Sequence, residues 1–445
     1  MATIPHDSAP DSTLALLREG YNFLPNLRRR YQSDLIALRL MGQPAVCLSG
    51  AEGAALFYDQ SKFQRAGATP RRILTTLMGQ DGVQTLDGAA HRHRKALFMS
   101  VMTPESLHQF STHLAENWRA YLRRWENQAE IELYPEAEEA LCRAACTWGG
   151  MPFEEQDIGP LARDLSAMID AFGGVGPRHA KGKLARHRAE KWAGQIIDRV
   201  REGRQYAREG SPLAAVARFR ELDGQLLPTK TAAVELLNLL RPIIAIARFI
   251  VFAALALHEH PAWRARLQSG DAAAIECFAQ EVRRLYPFTP MLGARVRAPF
   301  AWGGYHFPKG QLVLLNVQGL DHDERQWAKP YAFQPERFEN RVVGSFDLVP
   351  QGGGDHYLGH RCAGEWLTLE AIKTASFLLS SAMTYTVPPQ DLHIDLTRMP
   401  TLPKSGFLMR DVRATGDARP AVIAPPPQLA AADATGAAKC PFHQG

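Results

Sequence analysis

The longest apolar pattern in the chain runs from residue 232 to residue 258. It is apolar nearly all round, which is typical of a helix buried in a protein core. Arg248 interrupts the apolar run from Ile243 to Leu257, and Arg241-Pro242 precedes it. These charges favour a core helix over a membrane-spanning one. A proline inside a helix removes a backbone hydrogen bond, so Pro242 predicts a kink.

Helical patterns cover much of the remaining chain. Residues 103–215 are predicted to be mostly amphipathic helix, and the glycine cluster at residues 172–177 is their strongest break. A further helix is predicted over residues 272–286 and ends at Pro287. Another is predicted from residue 363 to residue 378, where apolar side chains recur at helical spacing.

Strand patterns are confined to short segments. Residues 300–316 alternate and contain turn signals, so they predict a small β-region, and residues 383–412 predict short strands. The N-terminal part predicts three helical pieces and a hairpin edge, the pieces at residues 13–18, 31–40 and 51–58 and the hairpin edge at residues 45–48. The chain is therefore predicted to be mainly α with a minor β-region.

Composition narrows the class of protein. The chain has 445 residues, of which 46% are hydrophobic, so it can form a large core. Its net charge of +5, from 51 basic and 46 acidic residues, is mild for this length and predicts no nucleic-acid binder. Because no C-x-x-C pair occurs, a disulfide framework or zinc site is not expected. The six cysteines are scattered, at Cys47, Cys142, Cys146, Cys277, Cys362 and Cys440.

The two ends of the chain carry different expectations. The N-terminus lacks a charged segment followed by an apolar one, so neither a signal peptide nor a membrane anchor is predicted, and a cytoplasmic location follows. Residues 414–445 are rich in alanine and proline and are predicted to be a disordered tail.

Arg241 is the first candidate for binding chemistry. A buried guanidinium is costly unless an anion meets it. An ion pair within the protein is the usual answer, but between residues 235 and 246 the only acid is Glu235. The more specific hypothesis is that Arg241 binds an anionic ligand.

A glycine-dense loop at residues 351–365 delivers Cys362 directly before a predicted helix. Glycines allow backbone N–H groups to approach a ligand closely. The positive end of the helix favours a thiolate over a thiol. This combination fits a thiolate that ligates haem iron. The alternative is a buried cysteine beside a flexible loop.

Two further side-chain pairs have both a functional and an ordinary interpretation. His91 and Lys95 lie on one face of a helix for which Asp87 is a candidate N-cap. They are either donors for the edge of an anionic cofactor or the solvated start of a basic helix. Glu281 and Arg284 are three residues apart and form either a structural ion pair or a surface pair.

Four of these features occur in the order and spacing of cytochrome P450s, and the resemblance covers about residues 10–412. The features are the long central helix, Glu281-x-x-Arg284, the sequence Pro-Glu-Arg-Phe at 335–338, and Cys362 after its glycine loop. The resemblance implies a P450 haem-thiolate domain over residues 1–413 with haem b as cofactor. It also implies that Cys362 is the axial ligand and that Glu281, Arg284 and Arg337 form a structural salt-bridge cluster.

The departures from most P450s identify a subgroup. Most members carry a phenylalanine seven residues before the cysteine and an arginine two before it, where this chain has Asp355 and His360. Most also carry an acid–alcohol pair on the central helix that supplies protons during oxygen activation, where this chain has Arg241-Pro242. Both departures resemble the bacterial fatty-acid peroxygenases.

That resemblance implies a reaction. Arg241 would bind the carboxylate of a long-chain fatty acid, and the carboxylate would act as the acid–base group that lets hydrogen peroxide react without an obligatory redox partner. In this family histidine at the position of Gln84 goes with decarboxylation to terminal alkenes, and glutamine goes with α- or β-hydroxylation. The implied products are 2- or 3-hydroxy acids, with a lean toward the α type.

The resemblance also implies roles for further residues. Arg241, Pro242 and Gln84 would be the catalytic group. Those expected to face the haem propionates are Arg65, His91, Lys95, Arg295 and His360. Those expected to line the substrate pocket, with ordinary core packing as the alternative, are Met78, Gln84, Phe172, Gly173, Ala245, Phe288, Pro290 and Met291.

Other classes of function remain open at this point. A conventional P450 monooxygenase would need a ferredoxin or flavin reductase, and a few such enzymes lack the acid–alcohol pair. A haem-binding sensor without turnover would require a protein acid beside Arg241. A helical scaffold without haem would give a colourless protein.

Overall fold

The computed structural model describes residues 4–416. Sixteen helices occur in this part of the chain: α1 Thr13–Glu19, α2 Phe23–Tyr31, α3 Gly50–Phe57, α4 Arg71–Ile73, α5 Gly88–Ser100, α6 Pro104–Trp125, α7 Leu133–Gly149, α8 Glu155–Asp170, α9 Pro177–Arg201, α10 Pro212–Arg218, α11 Thr229–Ala245, α12 Ala247–Glu259, α13 Pro261–Gln268, α14 Ala272–Leu285, α15 Val317–Asp321 and α16 Glu365–Phe377.

Ten short strands and several short 3-10 or π-helical turns complete the regular structure. The strands are β1 Leu35–Leu40, β2 Gln43–Leu48, β3 Phe63–Gln64, β4 Glu130–Glu132, β5 Met291–Val296, β6 Phe300–Trp302, β7 Tyr305–Phe307, β8 Leu312–Asn316, β9 Met383–Thr386 and β10 Leu408–Ala414. They form sheets in the orders β1-β2-β8-β5-β3, β4-β10-β9 and β6-β7. The prediction of a mainly α protein with a minor β-region is confirmed.

The predicted central helix forms α11 and α12, which are separated only by Ile246. Pro242 lies inside α11, and the interruption follows four residues later. Within residues 4–416, the stretch Thr229–Glu259 is the one helical segment long and apolar enough to cross a membrane. Its most apolar window is 94% buried inside the protein, as expected for a core helix.

This helix pair holds the other layers together. α7, α8 and α9 pack against α11, while α14 and α16 pack against α12. One large apolar cluster runs through these helices, and a second and third cluster lie on the two faces of the five-stranded sheet.

One predicted helix was wrong. Residues 31–40 were expected to be helical, but α2 ends at Tyr31 and residues 35–40 form β1. The strand pairs antiparallel with β2 across a two-residue turn, Met41-Gly42, in which both residues have positive φ, 52° and 75°. Such a turn matches the twist of a hairpin, so pairing with β2 outweighs the local helical preference. The prediction of a hairpin edge at residues 45–48 is confirmed by β2.

The C-terminal boundary differs slightly from the prediction. β10 continues to Ala414, one residue beyond the expected end of the domain. The predicted disordered tail and Cys440 fall almost entirely on residues 417–445, which lie outside the described residues.

Glu281 on α14 binds two arginines in the core. Arg284 Nε and Nη2 donate to the two carboxylate oxygens over 2.7 and 2.8 Å, and Arg337 Nε lies 3.2 Å from the same carboxylate. Arg284 Nη1 also donates to the carbonyls of Asp321 and Pro330. The cluster thus ties α14 to the irregular segment that precedes the Cys362 loop.

We expect Glu281→Gln to destabilise the protein by about 3–5 kcal/mol, because it leaves Arg284 buried with its charge uncompensated. Thermal melts and haem retention would measure the loss. The control is Glu339→Gln, which breaks an ion pair with Arg266 that is 40% exposed on both sides and should cost less than about 1 kcal/mol. Equal losses in the two variants would contradict a special role for the buried cluster.

The buried carboxyl of Asp321, at the end of α15, should make the stability of the folded protein depend on pH. Burial raises the pKa of its carboxyl to about 8, although the Val349 N–H donates to it over 2.9 Å. In the unfolded chain an aspartate titrates near pH 4, roughly. Between these values the folded protein keeps a proton that the unfolded chain has lost, so stability falls as the pH rises.

We therefore expect Asp321→Asn, which keeps the shape and removes the titration, to raise the melting temperature more at pH 8 than at pH 5. Melting curves of both proteins across that range give the comparison. A difference that does not change with pH would show that Asp321 is ionised throughout.

Candidate functional site

Cys362 is held at the start of α16 by its own backbone. Its N–H donates to the Gln351 carbonyl over 3.0 Å, and its carbonyl accepts from the Glu365 N–H over 3.3 Å. The loop can close this tightly because Gly352 has φ +98°, and a Cβ on it would lie 3.0 Å from the hydroxyl of Tyr58. The sequence therefore places one thiol at a fixed point in front of a buried helix.

The ionisation of this thiol differs from the expectation. Burial raises the pKa of Cys362, while Lys95 and the Gly364 N–H act in the opposite direction without overcoming it. The helix start alone does not make a thiolate here. Binding to a metal would do so, because a coordinating thiol is deprotonated outright.

Three basic side chains come together near Cys362, and the charge of a fourth, Arg65, acts on His360 although its guanidinium lies over the ring of Phe57 and donates to the Phe57 carbonyl over 3.3 Å. The rings of His91 and His360 stack at 3.8 Å. Lys95 donates to the Arg361 carbonyl, directly beside Cys362. His360 Nε2 lies 3.6 Å from Asp87, whose carboxylate also accepts from the backbone N–H of Arg65.

Asp87 is the N-terminal neighbour of α5, yet its side chain makes no capping bond to that helix. Its carboxylate instead accepts from the N–H groups of Arg65 and Ala66, at 2.9 Å each at the closest. The expected N-cap thus serves to join the Arg65 loop to α5 and His360.

The electrostatics of the cluster suit an anion. Burial lowers the pKa of His91 to about 3 and that of Lys95 to about 8. Burial also lowers the pKa of Arg65 and of His360. His91 Nδ1 is buried without a hydrogen-bond partner. Anionic groups placed here would accept hydrogen bonds from these donors and would offset the cost of burying the charges of Lys95 and Arg65.

The structure does not bring Arg295 into this group. Its Nε and Nη1 donate to the carbonyls of Gly67 and Gly310, and its Nη2 donates to Gln43. All three contacts belong to the five-stranded sheet and its loops. These three hydrogen bonds do not support the expectation that Arg295 faces a haem propionate.

Behind Cys362 lies a second charged cluster that the sequence did not reveal. Glu365 accepts from Arg361 Nε over 2.6 Å and from Arg283 Nη2 over 2.5 Å. Although burial acts against it, these arginines hold the pKa of Glu365 down at about 2. In the sequence, only the four-residue spacing of Arg361 and Glu365 could have indicated this cluster, because Arg283 lies on α14, far away along the chain.

Arg241 lies four residues before the C-terminal end of α11 and is buried, with 7% exposure. Its Nη2 donates to Asn238 Oδ1 over 3.4 Å, and its Nε has no hydrogen-bond partner. Burial, helped by the nearby charge of Arg186, lowers its pKa to about 9, while Cys362 raises it. Arg241 and Cys362 therefore belong to one electrostatic region.

Gln84 is connected to this arginine through one intervening side chain. It sits in the short turn Val83–Thr85, and its Oε1 accepts from Asn238 Nδ2 over 3.2 Å. Asn238 is the residue that joins Gln84 to Arg241. Pro242 follows Arg241 directly. Because proline has no N–H, the helical hydrogen bond to the carbonyl of Asn238, four residues earlier, is missing.

The expected pocket residues fall into separate groups. Phe288 stacks on Phe249 of α12 at 4.4 Å and belongs with Ala245 to the large helical cluster. Phe172 and Met291 pack against the cluster that contains Met399 and the sheet. Gly173 lies against Met399. Pro290 accepts from the Gln318 N–H.

Met78 ends the π-helical turn Leu74–Met78, and its position is set by its neighbours. Arg186 of α9 donates to the Leu77 carbonyl over 2.9 Å. Gly79 has φ +85°, and a Cβ on it would lie 2.2 Å from Arg186 Nη2. The guanidinium thus fills the space beside a glycine next to Met78.

Comparison with known proteins identifies the family. The cytochrome P450 family model matches residues 275–377. Cytochrome P450SP alpha (CYP152B1), solved with (R)-ibuprofen, is 45% identical with a TM-score of 0.89, and the match covers 92% of this chain and all of that one. This chain is a cytochrome P450 of the fatty-acid peroxygenase type.

Two further solved structures agree. Cytochrome P450EX alpha (CYP152N1), solved with myristic acid, is 40% identical over 93% of this chain and all of its own, with a TM-score of 0.90. Cytochrome P450 OleT, solved without ligand, is 37% identical over 94% of this chain and all of its own, with a TM-score of 0.91.

The residues of this P450 fit the haem that its fold implies. Cys362 would supply the thiolate ligand, and the two propionates of haem would suit the buried donors in front of it. Lys95, His91, Arg65 and His360 would hold those propionates. The orphaned Nδ1 of His91 is the observation that supports this fit.

We expect Cys362→Ser to abolish the red-shifted Soret band that thiolate ligation gives the ferrous–carbonyl complex, because the serine hydroxyl is a poor iron ligand. Absorption spectra of the purified variant give the measurement. Cys277→Ser is the matched control, since Cys277 lies in a separate small cluster and its replacement should leave the band unchanged. A normal band in Cys362→Ser would show that another residue binds the iron.

Proposed function

We propose that this P450 uses hydrogen peroxide to hydroxylate long-chain fatty acids at the α carbon, with the β carbon as the second position. Arg241 binds the substrate carboxylate, and that carboxylate moves the proton that the reaction needs. The enzyme acts in the cytoplasm and needs no redox partner. P450EX alpha, a relative solved with myristic acid, supports a substrate of this class.

The observation that carries the proposal is the lack of a counter-charge at Arg241. Within residues 4–416 its guanidinium makes no ion pair, although it is buried in the core. Glu235, the only acid of this helical stretch, is taken by Arg94, whose Nη1 lies 2.7 Å from it. A sensor protein without substrate would need an acid for Arg241, and the nearest acid on the helix is already neutralised.

The chemistry follows from these groups. A guanidinium binds a carboxylate through two parallel hydrogen bonds, which fixes the orientation of the acid. Splitting peroxide unevenly requires a proton to move from one oxygen to the other, and the bound carboxylate is placed to carry it. Haem, when bound, supplies the oxidising centre. The balance is one fatty acid and one hydrogen peroxide to one hydroxy acid and one water.

Fixing the carboxylate also restricts where oxygen is added. With its acid group held on α11, the substrate can present only the first carbons of its chain to the oxidising centre. Gln84 shares Asn238 with Arg241, so it borders the same group of atoms. Its amide supports hydroxylation, which is the outcome that glutamine at this position implies.

The test is a paired assay with myristic acid. One arm receives hydrogen peroxide alone, and the other receives NADPH, ferredoxin, ferredoxin reductase and catalase to remove leaked peroxide. We expect 2-hydroxymyristate in the peroxide arm and a fall in kcat/KM of about a hundredfold or more in Arg241→Gln, because a charged anchor is lost. Mass spectrometry of the products gives the position of the hydroxyl.

Two further variants control for charge. Arg241→Lys keeps the positive charge without the fork and should lie between wild type and Arg241→Gln. Arg188→Gln removes an exposed arginine of α9 and should change nothing. Turnover only in the reductase arm would contradict the proposal and indicate a redox-partner monooxygenase. A terminal alkene as the main product would indicate a decarboxylase.

A further inference from the structure

Glu235 is a fully buried acid on α11 that the proposed reaction does not use. Its Oε1 accepts from the Val83 N–H over 2.8 Å and from Arg94 Nη1 over 2.7 Å, and its Oε2 accepts from Asn238 Nδ2 over 3.1 Å. All three partners are donors. Burial raises the pKa of the Glu235 carboxyl, while the ion pair with Arg94 and the Val83 N–H act in the opposite direction, so Arg94 is the counter-charge that supports the carboxylate form.

This carboxylate determines which way two amides face. Because it can only accept, Asn238 must turn its NH2 group toward Glu235. The same NH2 group donates to Gln84 Oε1 over 3.2 Å, and Asn238 Oδ1 is left to accept from Arg241. Gln84 therefore shows its carbonyl oxygen to Asn238, and its own NH2 group is directed elsewhere as a donor.

We infer that Glu235 is a positioning residue that orients the amides of Asn238 and Gln84, so that Arg241 and Gln84 both offer N–H donors to the substrate carboxylate. This inference rests on the proposed function. Reversed amides would place an NH2 group against the guanidinium of Arg241 and a carbonyl oxygen against the negatively charged substrate. Both contacts are repulsive.

Gly82 leaves room for the contact between the amides of Asn238 and Gln84. Gly82 has an ordinary negative φ of −79°, so its backbone does not require glycine. A Cβ there would, however, lie 2.9 Å from Asn238 Nδ2 and 3.0 Å from Gln84 Oε1. The missing side chain leaves the space in which the two amides meet.

Arg94 keeps the carboxylate of Glu235 in place. Besides Glu235 it binds Glu221 and the carbonyl of Asp81, so it joins α5 to the turn that carries Gln84. Since Arg94 satisfies the charge of Glu235, the charge of Arg241 stays available to a ligand.

The experiment uses Glu235→Gln in the haem-loaded protein. Its size is unchanged, but its own NH2 group must face Asn238, which forces the two amides to reverse. We expect the dissociation constant for myristic acid, read from the Soret shift on titration, to rise about tenfold. The ratio of α to β product should change as well. Gly82→Ala, which alters no charge, should shift both readouts in the same direction.

A double variant separates positioning from a structural role. Glu235→Gln with Arg94→Gln removes both buried charges, so it should recover thermal stability relative to either single variant while myristic acid still binds weakly. Recovery of affinity together with stability would overturn the inference, as would unchanged affinity and product ratio in Glu235→Gln and Gly82→Ala. If the wild type itself neither shifts its Soret band with myristic acid nor hydroxylates it with peroxide, the proposed function fails first.

Discussion

Within residues 4–416 the guanidinium of Arg241 lies in the protein core without a counter-charge, and the side chains around α11 are arranged around this constraint. Burying the charge of Arg241 costs free energy. The helix that carries Arg241 contains a single acid. That acid, Glu235, is bound to Arg94 on another helix. The fold therefore keeps the cost of the buried charge instead of cancelling it, and in the proposed reaction the substrate carboxylate would offset that cost.

The same electrostatic logic applies on the cofactor side. Basic side chains lie in front of Cys362, while Arg283 and Arg361 share one carboxylate behind it. The two arginines behind Cys362 are neutralised by Glu365, whereas the basic groups in front of it keep donors without an acid partner of this kind. The propionates of haem and the carboxylate of the proposed substrate would complement these donors and offset part of the cost of burying them.

The parts that could be predicted from sequence are those encoded in local spacing. The central helix, the Cys362 loop and the pair Glu281–Arg284 each lie within a few turns of the chain, and the structure contains them. Residues 31–40 were mispredicted because a strand partner decides their conformation.

Most of the charged networks could not be inferred in this way. Glu235 and Arg94 are 141 residues apart, and Arg283 and Glu365 are 82 apart, so no local pattern links them. Only the fold brings them together. Asp87 illustrates the limit, since its position was correctly placed at the start of α5 but its partners come from the Arg65 loop and the Cys362 loop.

Gly79 has a consequence for how this protein can vary. Its φ of +85° disfavours any side chain, and Arg186 already fills the space where a Cβ would stand. Substitution there carries both a backbone penalty and a steric one, so this point in the chain has little freedom in evolution or engineering. Variation next to this glycine is easier at Met78, on a backbone that stays the same.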